Sequence, residues 1–175
     1  MPHMQDDFPL NLSTLYDRAV WLYPDQEIVS VESDRSIART TYGETDSRVR
    51  RLATALFGLG LTPGDPVGTF AWNNRRHHEL YWATANTGLV CHTINIRLFA
   101  EQVAYIVDHA GDKVVFVDPD LVPLLAPIAE RMGDAEALAG RGPELRPGKG
   151  HDDVRRRLRA LERRRAVRDH EERFA

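Results

Sequence analysis

The sequence predicts an α/β fold, a mostly parallel sheet flanked by helices. Three observations carry that expectation. Between residues 66 and 131 short apolar runs alternate with stretches of helical period, the arrangement of βαβ units. The run "KVVFVD" is apolar at successive positions, as a strand covered on both faces must be. Glycines stand where helices should end, and a residue able to take positive φ closes a helix well.

Taken in order, "TLYDRAVWLYP" sets Leu15, Ala19 and Leu22 on one helical stripe, the expected core face. The helix must stop before Pro24, because the residue preceding proline is pushed out of the helical region. "EIVSVESDRSIARTTYG" alternates on either side of Ser33, Asp34 and Arg35, which predicts two strands joined by a tight turn. "TDSRVRRLATALFGLG" then predicts a helix capped by Thr45 or Asp46. Its inward face is Val49, Leu52, Ala53 and Leu56, with Arg48 and Arg51 turned away.

The glycine-rich stretch "LFGLGLTPGDPVGTFAWN" invites comparison with a phosphate-cradling loop. Such a loop follows a strand and opens a helix, so that helix N-terminal amides face the phosphate. Here Gly58 and Gly60 follow a helix, and Pro63-Gly64-Asp65 turns the chain into a strand "PVGTFAWN". It is a turn. Further along, "RRHHELYWATANTGL" predicts a helix ending near Gly88, "VCHTIN" a short buried strand, and "FAEQVAYIVDHAG" a helix closed by Gly111. That last helix has Val103, Ile106, Val107 and Ala110 in one stripe. "DLVPLLAPIAERM" predicts a helix with Pro123 near its start and a bend at Pro127.

Beyond residue 132 the composition shifts. Residues 1–130 hold 10 Lys and Arg against 17 Asp and Glu, whereas residues 131–175 hold 13 against 9. Residues 133–175 are arginine-dense with a thin apolar stripe of Val154, Leu158 and Leu161, so they are expected to form a disordered or loosely helical tail. The domain division is therefore 1–132 and 133–175. The chain has 21 Arg and 2 Lys, which points to a GC-rich coding sequence. A change of reading frame or a premature end near residues 133–140 would account for the shift.

The single Cys91 excludes an internal disulfide framework and any multi-cysteine zinc site. The N-terminus carries acids where a signal peptide would carry Lys or Arg, and no apolar run approaches the ~20 residues of a membrane helix. A cytoplasmic location is expected.

The segments "LYDRAVWLYPDQEIVS", "TYGETDSRVRRLATALFGLGLTPGDPVGTFAWN" and "HTINIRLFAEQVAYIVDHAGDKVVFVD", in that order, resemble the first portion of the large N-terminal domain of AMP-forming acyl-CoA synthetases. "AWNNRRHHELYW" followed by "HTINIRLFAEQVAYI" is similar to the branch acting on medium- and long-chain fatty acids and on methylmercaptopropionate. The resemblance spans roughly residues 5–132. It departs at Ile96 and Ala100, where proline is expected, and at Asp65-Pro66-Val67, where "GDRV" is common.

The resemblance implies activation of a fatty acid or other carboxylate by ATP and magnesium to an acyl-adenylate, followed by transfer to CoA. It also implies a homodimer. The family's phosphate loop, adenine segment, ribose-binding aspartate and C-terminal lysine have no counterpart here; Lys149 in "RPGKG" has the wrong neighbours. No catalytic, cofactor-binding or metal-binding residue is therefore expected, and the chain alone is expected to be inactive.

The candidate substrate-binding residues are Trp72, Asn73, His92, Asn95 and Arg97, expected at strand ends, where α/β sites gather. For Asn73 and Asn95 capping and turn-stabilising roles are the preferred expectation. His77 and His78 beside Glu79 lack the four-residue spacing of zinc peptidases and are expected at the surface or a pocket edge. A second reading is a small α/β interaction module whose basic tail binds a partner or nucleic acid. Acids interrupting "RRRLRALERRR" and the lack of interleaved aromatics speak against nucleic acid.

Overall fold

The computed structural model describes residues 11–132 and 135–139 and divides into two compact units. Unit 1 takes residues up to 67 and then 72–91; unit 2 takes 68–71 and the chain from 92 onward.

Unit 1 opens with α1 (Leu12–Leu22), whose N-cap Asn11 accepts from the Thr14 amide at 2.9 Å. The expected stripe is not its core face. Leu15 is 53% exposed and Leu22 39%, whereas Tyr16 is fully buried and stacks on Trp82 with ring centroids 4.6 Å apart. An aromatic pair buries more area than the leucines could, and it rotates the helix onto that side.

Strands β1 (Glu27–Val31) and β2 (Ile37–Thr41) pair antiparallel, Val31 opposite Ile37 and Glu27 opposite Thr41. In the turn between them Arg35 takes φ of 66°, and Asp34 Oδ1 accepts from the Ser36 amide at 2.9 Å. Helix α2 (Tyr42–Gly58) is capped not by Thr45 or Asp46 but by Thr41, in a capping box with Glu44. The Glu44 amide donates to Thr41 Oγ1 at 3.2 Å and the Thr41 amide to Glu44 Oε2 at 3.0 Å. Thr45 instead faces inward and is fully buried.

Val49 and Leu56 of α2 are buried as expected. Arg48 does not turn away: its Nε lies 2.6 Å from Oε1 of the buried Glu79. After the helix it is Gly60, at φ of 84°, that takes the left-handed conformation, rather than Gly58. Helix α3 (Arg75–Thr87) completes unit 1 and ends on Gly88 at φ of 72°.

Strand β3 (Pro66–Phe70) passes from unit 1 into unit 2 at Gly68, and β4 (Val90–Thr93) does so at His92. The four-stranded sheet runs β4-β3-β5-β6, with β5 at Val114–Val117 and β6 at Glu136–Ala139. β5 and β6 are parallel, Val114 opposite Glu136. The amides of Val90 and Ile94 donate to the carbonyls of Asp65 and Thr69, advancing together as parallel strands do. Among the described residues β4 is an edge strand, with Val90 and Thr93 exposed, not the buried strand the sequence suggested.

Helix α4 (Ala100–Ala110) buries Val103, Ala104 and Val107, while Ala110 at the end of the expected stripe is exposed. Gly111 closes it at φ of 67°. The segment around Pro127 is not one bent helix. It is a single turn, α5 (Val122–Leu125), followed by a 3-10 helix at Ala126–Arg131. Pro127 has no N–H to donate to the carbonyl four residues back, so the α ladder cannot continue through it. These pieces close over a core that includes Phe70, Ile94, Val103, Val107, Val115, Leu121, Leu125 and Met132. β6 lies past residue 132, within the segment read as tail. Among the described residues no helix is long and apolar enough to cross a membrane.

Candidate functional site

In open α/β sheets the carboxyl ends of the strands carry the chemistry. Trp72 and Asn73 follow β3, and Asn95 and Arg97 follow β4, whereas His92 lies within β4; the five divide between the two units.

Trp72 and Asn73 belong to unit 1, directly after β3. Both are exposed. The Trp72 carbonyl accepts from the Asn74 amide at 2.8 Å and lies 3.2 Å from His77 Nδ1. The cap of α3 is Asn74, whose side chain accepts from the His77 amide at 3.1 Å, so the capping role expected of Asn73 falls to its neighbour.

The His77-His78-Glu79 run is neither superficial nor convergent. His77 is 5% exposed and stacks on Tyr81. His78 Nε2 accepts from Trp82 Nε1 at 2.9 Å, which requires a neutral ring protonated on Nδ1. Burial holds His78 below the ordinary imidazole range. Glu79 turns to Arg48. Three consecutive side chains thus have three separate partners, and among the described residues no group of three or more His, Cys, Asp or Glu could hold a metal ion.

Also in unit 1, burial pushes the Cys91 thiol up, Thr84 opposing in part, which leaves little nucleophilic thiolate. Burial and the Asp46 carboxylate likewise raise the phenol of Tyr16.

Unit 2 holds His92, Asn95 and Arg97. Asn95 Oδ1 accepts from the Arg97 amide at 3.0 Å, a local turn after β4, and both residues are exposed. His92 turns elsewhere. Its Nδ1 is 2.7 Å from Oδ2 of Asp112, whose side chain is fully buried, while the histidine side chain is 23% exposed. Burial raises the Asp112 carboxyl above its usual range, and the bond to His92 offsets part of that rise. The carboxylate presses against β3: a Cβ on Gly68 would stand 3.0 Å from Asp112 Oδ2.

Sequence reasoning missed Asp112 and the Arg48–Glu79 pair. Asp112 stands between the helix-ending Gly111 and the apolar run of β5, where no local pattern singles it out. The Arg48–Glu79 pair spans 31 residues with no local pattern to announce it.

Comparison with known proteins identifies relatives. The family model for AMP-binding enzymes matches residues 16–168. The 3-methylmercaptopropionyl-CoA ligase of Ruegeria lacuscaerulensis is 47% identical over 135 residues, 77% of this chain and 25% of that protein. The medium-chain-fatty-acid–CoA ligase of Ectopseudomonas oleovorans is 45% identical over 119 residues, 68% of this chain and 22% of that one. Among solved structures, the fatty acyl CoA synthetase of Mycobacterium tuberculosis superposes with a TM-score of 0.65 at 25% identity, covering 85% of this chain and 28% of its own. The chain spans about a quarter of the length of the curated relatives it matches.

Proposed function

The chain belongs to the family of AMP-binding enzymes, and on that premise we propose that it supplies the first portion of an acyl-CoA ligase acting on a fatty or thioether carboxylate. The observation that supports this reading best is the 47% identity held over 135 residues with a ligase of that class. The reaction so implied joins a carboxylate to AMP with loss of pyrophosphate, then passes the acyl group to CoA.

That chemistry needs donors for a triphosphate and its metal. The 175 residues carry no G-x-x-x-x-G-K-[ST] sequence and no counterpart of the phosphate loop that the resemblance implies. In our reading these residues contribute scaffold, and adenylation requires residues beyond these 175. A cytoplasmic location, a homodimeric parent and a division at residue 132 belong to the same reading.

Two measurements test it. The purified chain should give no ATP–pyrophosphate exchange with octanoate or 3-methylmercaptopropionate; exchange above background would overturn the claim of inactivity. A chimera carrying residues 5–132 of this chain in place of the matching segment of the Ruegeria lacuscaerulensis ligase should retain exchange. A chimera that folds but is inactive would overturn the assignment.

A further inference from the structure

We propose that His92 and Asp112 form a proton-sharing clasp, which fastens edge strand β4 to the turn between α4 and β5 and loosens when the shared proton leaves. Among the described residues, β4 has a strand neighbour on one side alone, β3. The Ile94 amide donates to the Thr69 carbonyl at 3.0 Å, and Thr69 Oγ1 reaches the His92 carbonyl only at 3.5 Å. The bond between His92 Nδ1 and Asp112 Oδ2, at 2.7 Å, ties β4 to a residue outside β3.

The carboxylate is an unusual anchor. It is fully buried, and its Oδ1 has no partner among the described residues. A carboxylate with half of its acceptor capacity unmet is costly in such a place unless a positive charge or a proton compensates it. One proton shared by the pair provides this in either form, imidazolium facing carboxylate or imidazole facing carboxylic acid, and the same bond bridges both. Without it, a neutral imidazole faces a buried anion.

Among the described residues the surroundings offer no substitute. From β3 come Gly68 and Thr69, and from β5 Val115, none of them charged. The ionisable neighbours along the chain are Asp108 and His109 in the last turn of α4 and Lys113 after the turn, all exposed. Because the Asp112 carboxyl is raised in the folded chain, its contribution to stability is complete below the ordinary carboxylate value near 3.8 and is lost as pH rises through its folded value.

The test is amide exchange in the full chain, with Ile94 read against Val115 in the inner strand β5 and both corrected for intrinsic rates. Asp112→Ala should speed Ile94 exchange roughly tenfold while Val115 stays protected. Nitrogen chemical shifts should show His92 Nδ1 hydrogen-bonded in the parent chain and released from that bond in the variant. Unchanged Ile94 protection, or identical His92 shifts in the two proteins, would overturn the clasp. Should Asp112→Ala lose Val115 protection as well, the parent chain alone decides. As pH rises above the ordinary carboxylate value near 3.8, the ratio of Ile94 to Val115 protection should fall, and a flat ratio refutes the proposal.

Discussion

Replacing Arg48 by alanine probes unit 1 most sharply. The Arg48 guanidinium meets Glu79 at 2.6 Å, with the glutamate side chain 2% exposed and the arginine 21%. Water cannot replace a lost partner on the glutamate, so the variant strands a charge in the interior. Removing one member of a buried pair costs about 3–5 kcal/mol, and the partial exposure of Arg48 favours the lower end. For a chain of this size that corresponds to a fall in Tm of roughly 6–12 °C. Urea titration followed by far-ultraviolet circular dichroism measures the free energy directly. The companion variant Arg48→Met/Glu79→Leu removes both charges and keeps the volume, so it should recover most of the loss. An Arg48→Ala midpoint within error of the parent, or a double variant no better than the single one, would refute the reasoning that the pair is interior and coupled.

Further outcomes follow from the same geometry. Gly68→Ala would place its Cβ 3.0 Å from both Asp112 Oδ2 and Val115 Cγ2, and neither atom is free to yield; a loss of about 1–3 kcal/mol in urea titration is expected. Thr41→Ala removes one half of the capping box on α2 and should cost about 1 kcal/mol, with the midpoint shifted and the slope unchanged. His78 is held below the ordinary imidazole value by burial, so its contribution is complete above about pH 6.5 and lost as pH falls below it. The difference in unfolding free energy between pH 7.5 and pH 5.5 should accordingly shrink in His78→Gln, and an equal difference in both proteins would contradict it.

Order, type and approximate span were legible wherever a local signal existed. The period of α2, the apolar run of β5, and Gly88 and Gly111 at helix ends all state their role within a few residues. The cap at Thr41 was equally readable, since T-x-x-E stands at residues 41–44, but Thr45 and Asp46 lay nearer the apolar pattern and competed with it. What was not legible depended on partners distant in sequence. The seat of Tyr16 depends on Trp82, and the place of β4 at the edge depends on which strands lie beside it. For the candidate site, the strand-end positions could be found from the alternation of elements. The bond that removes His92 from the group of Asn95 and Arg97 could not, because Asp112 is 20 residues away.

The chain crosses between its two units after Val67, again after Ala71, and a third time after Cys91. Neither body is therefore a contiguous stretch of gene. A single cut does not part the two cleanly: after Cys91 it leaves residues 68–71 with unit 1, and before Gly68 it sends residues 72–91 away with unit 2. Strands β3 and β4 each give residues to both bodies, so neither body is complete without them.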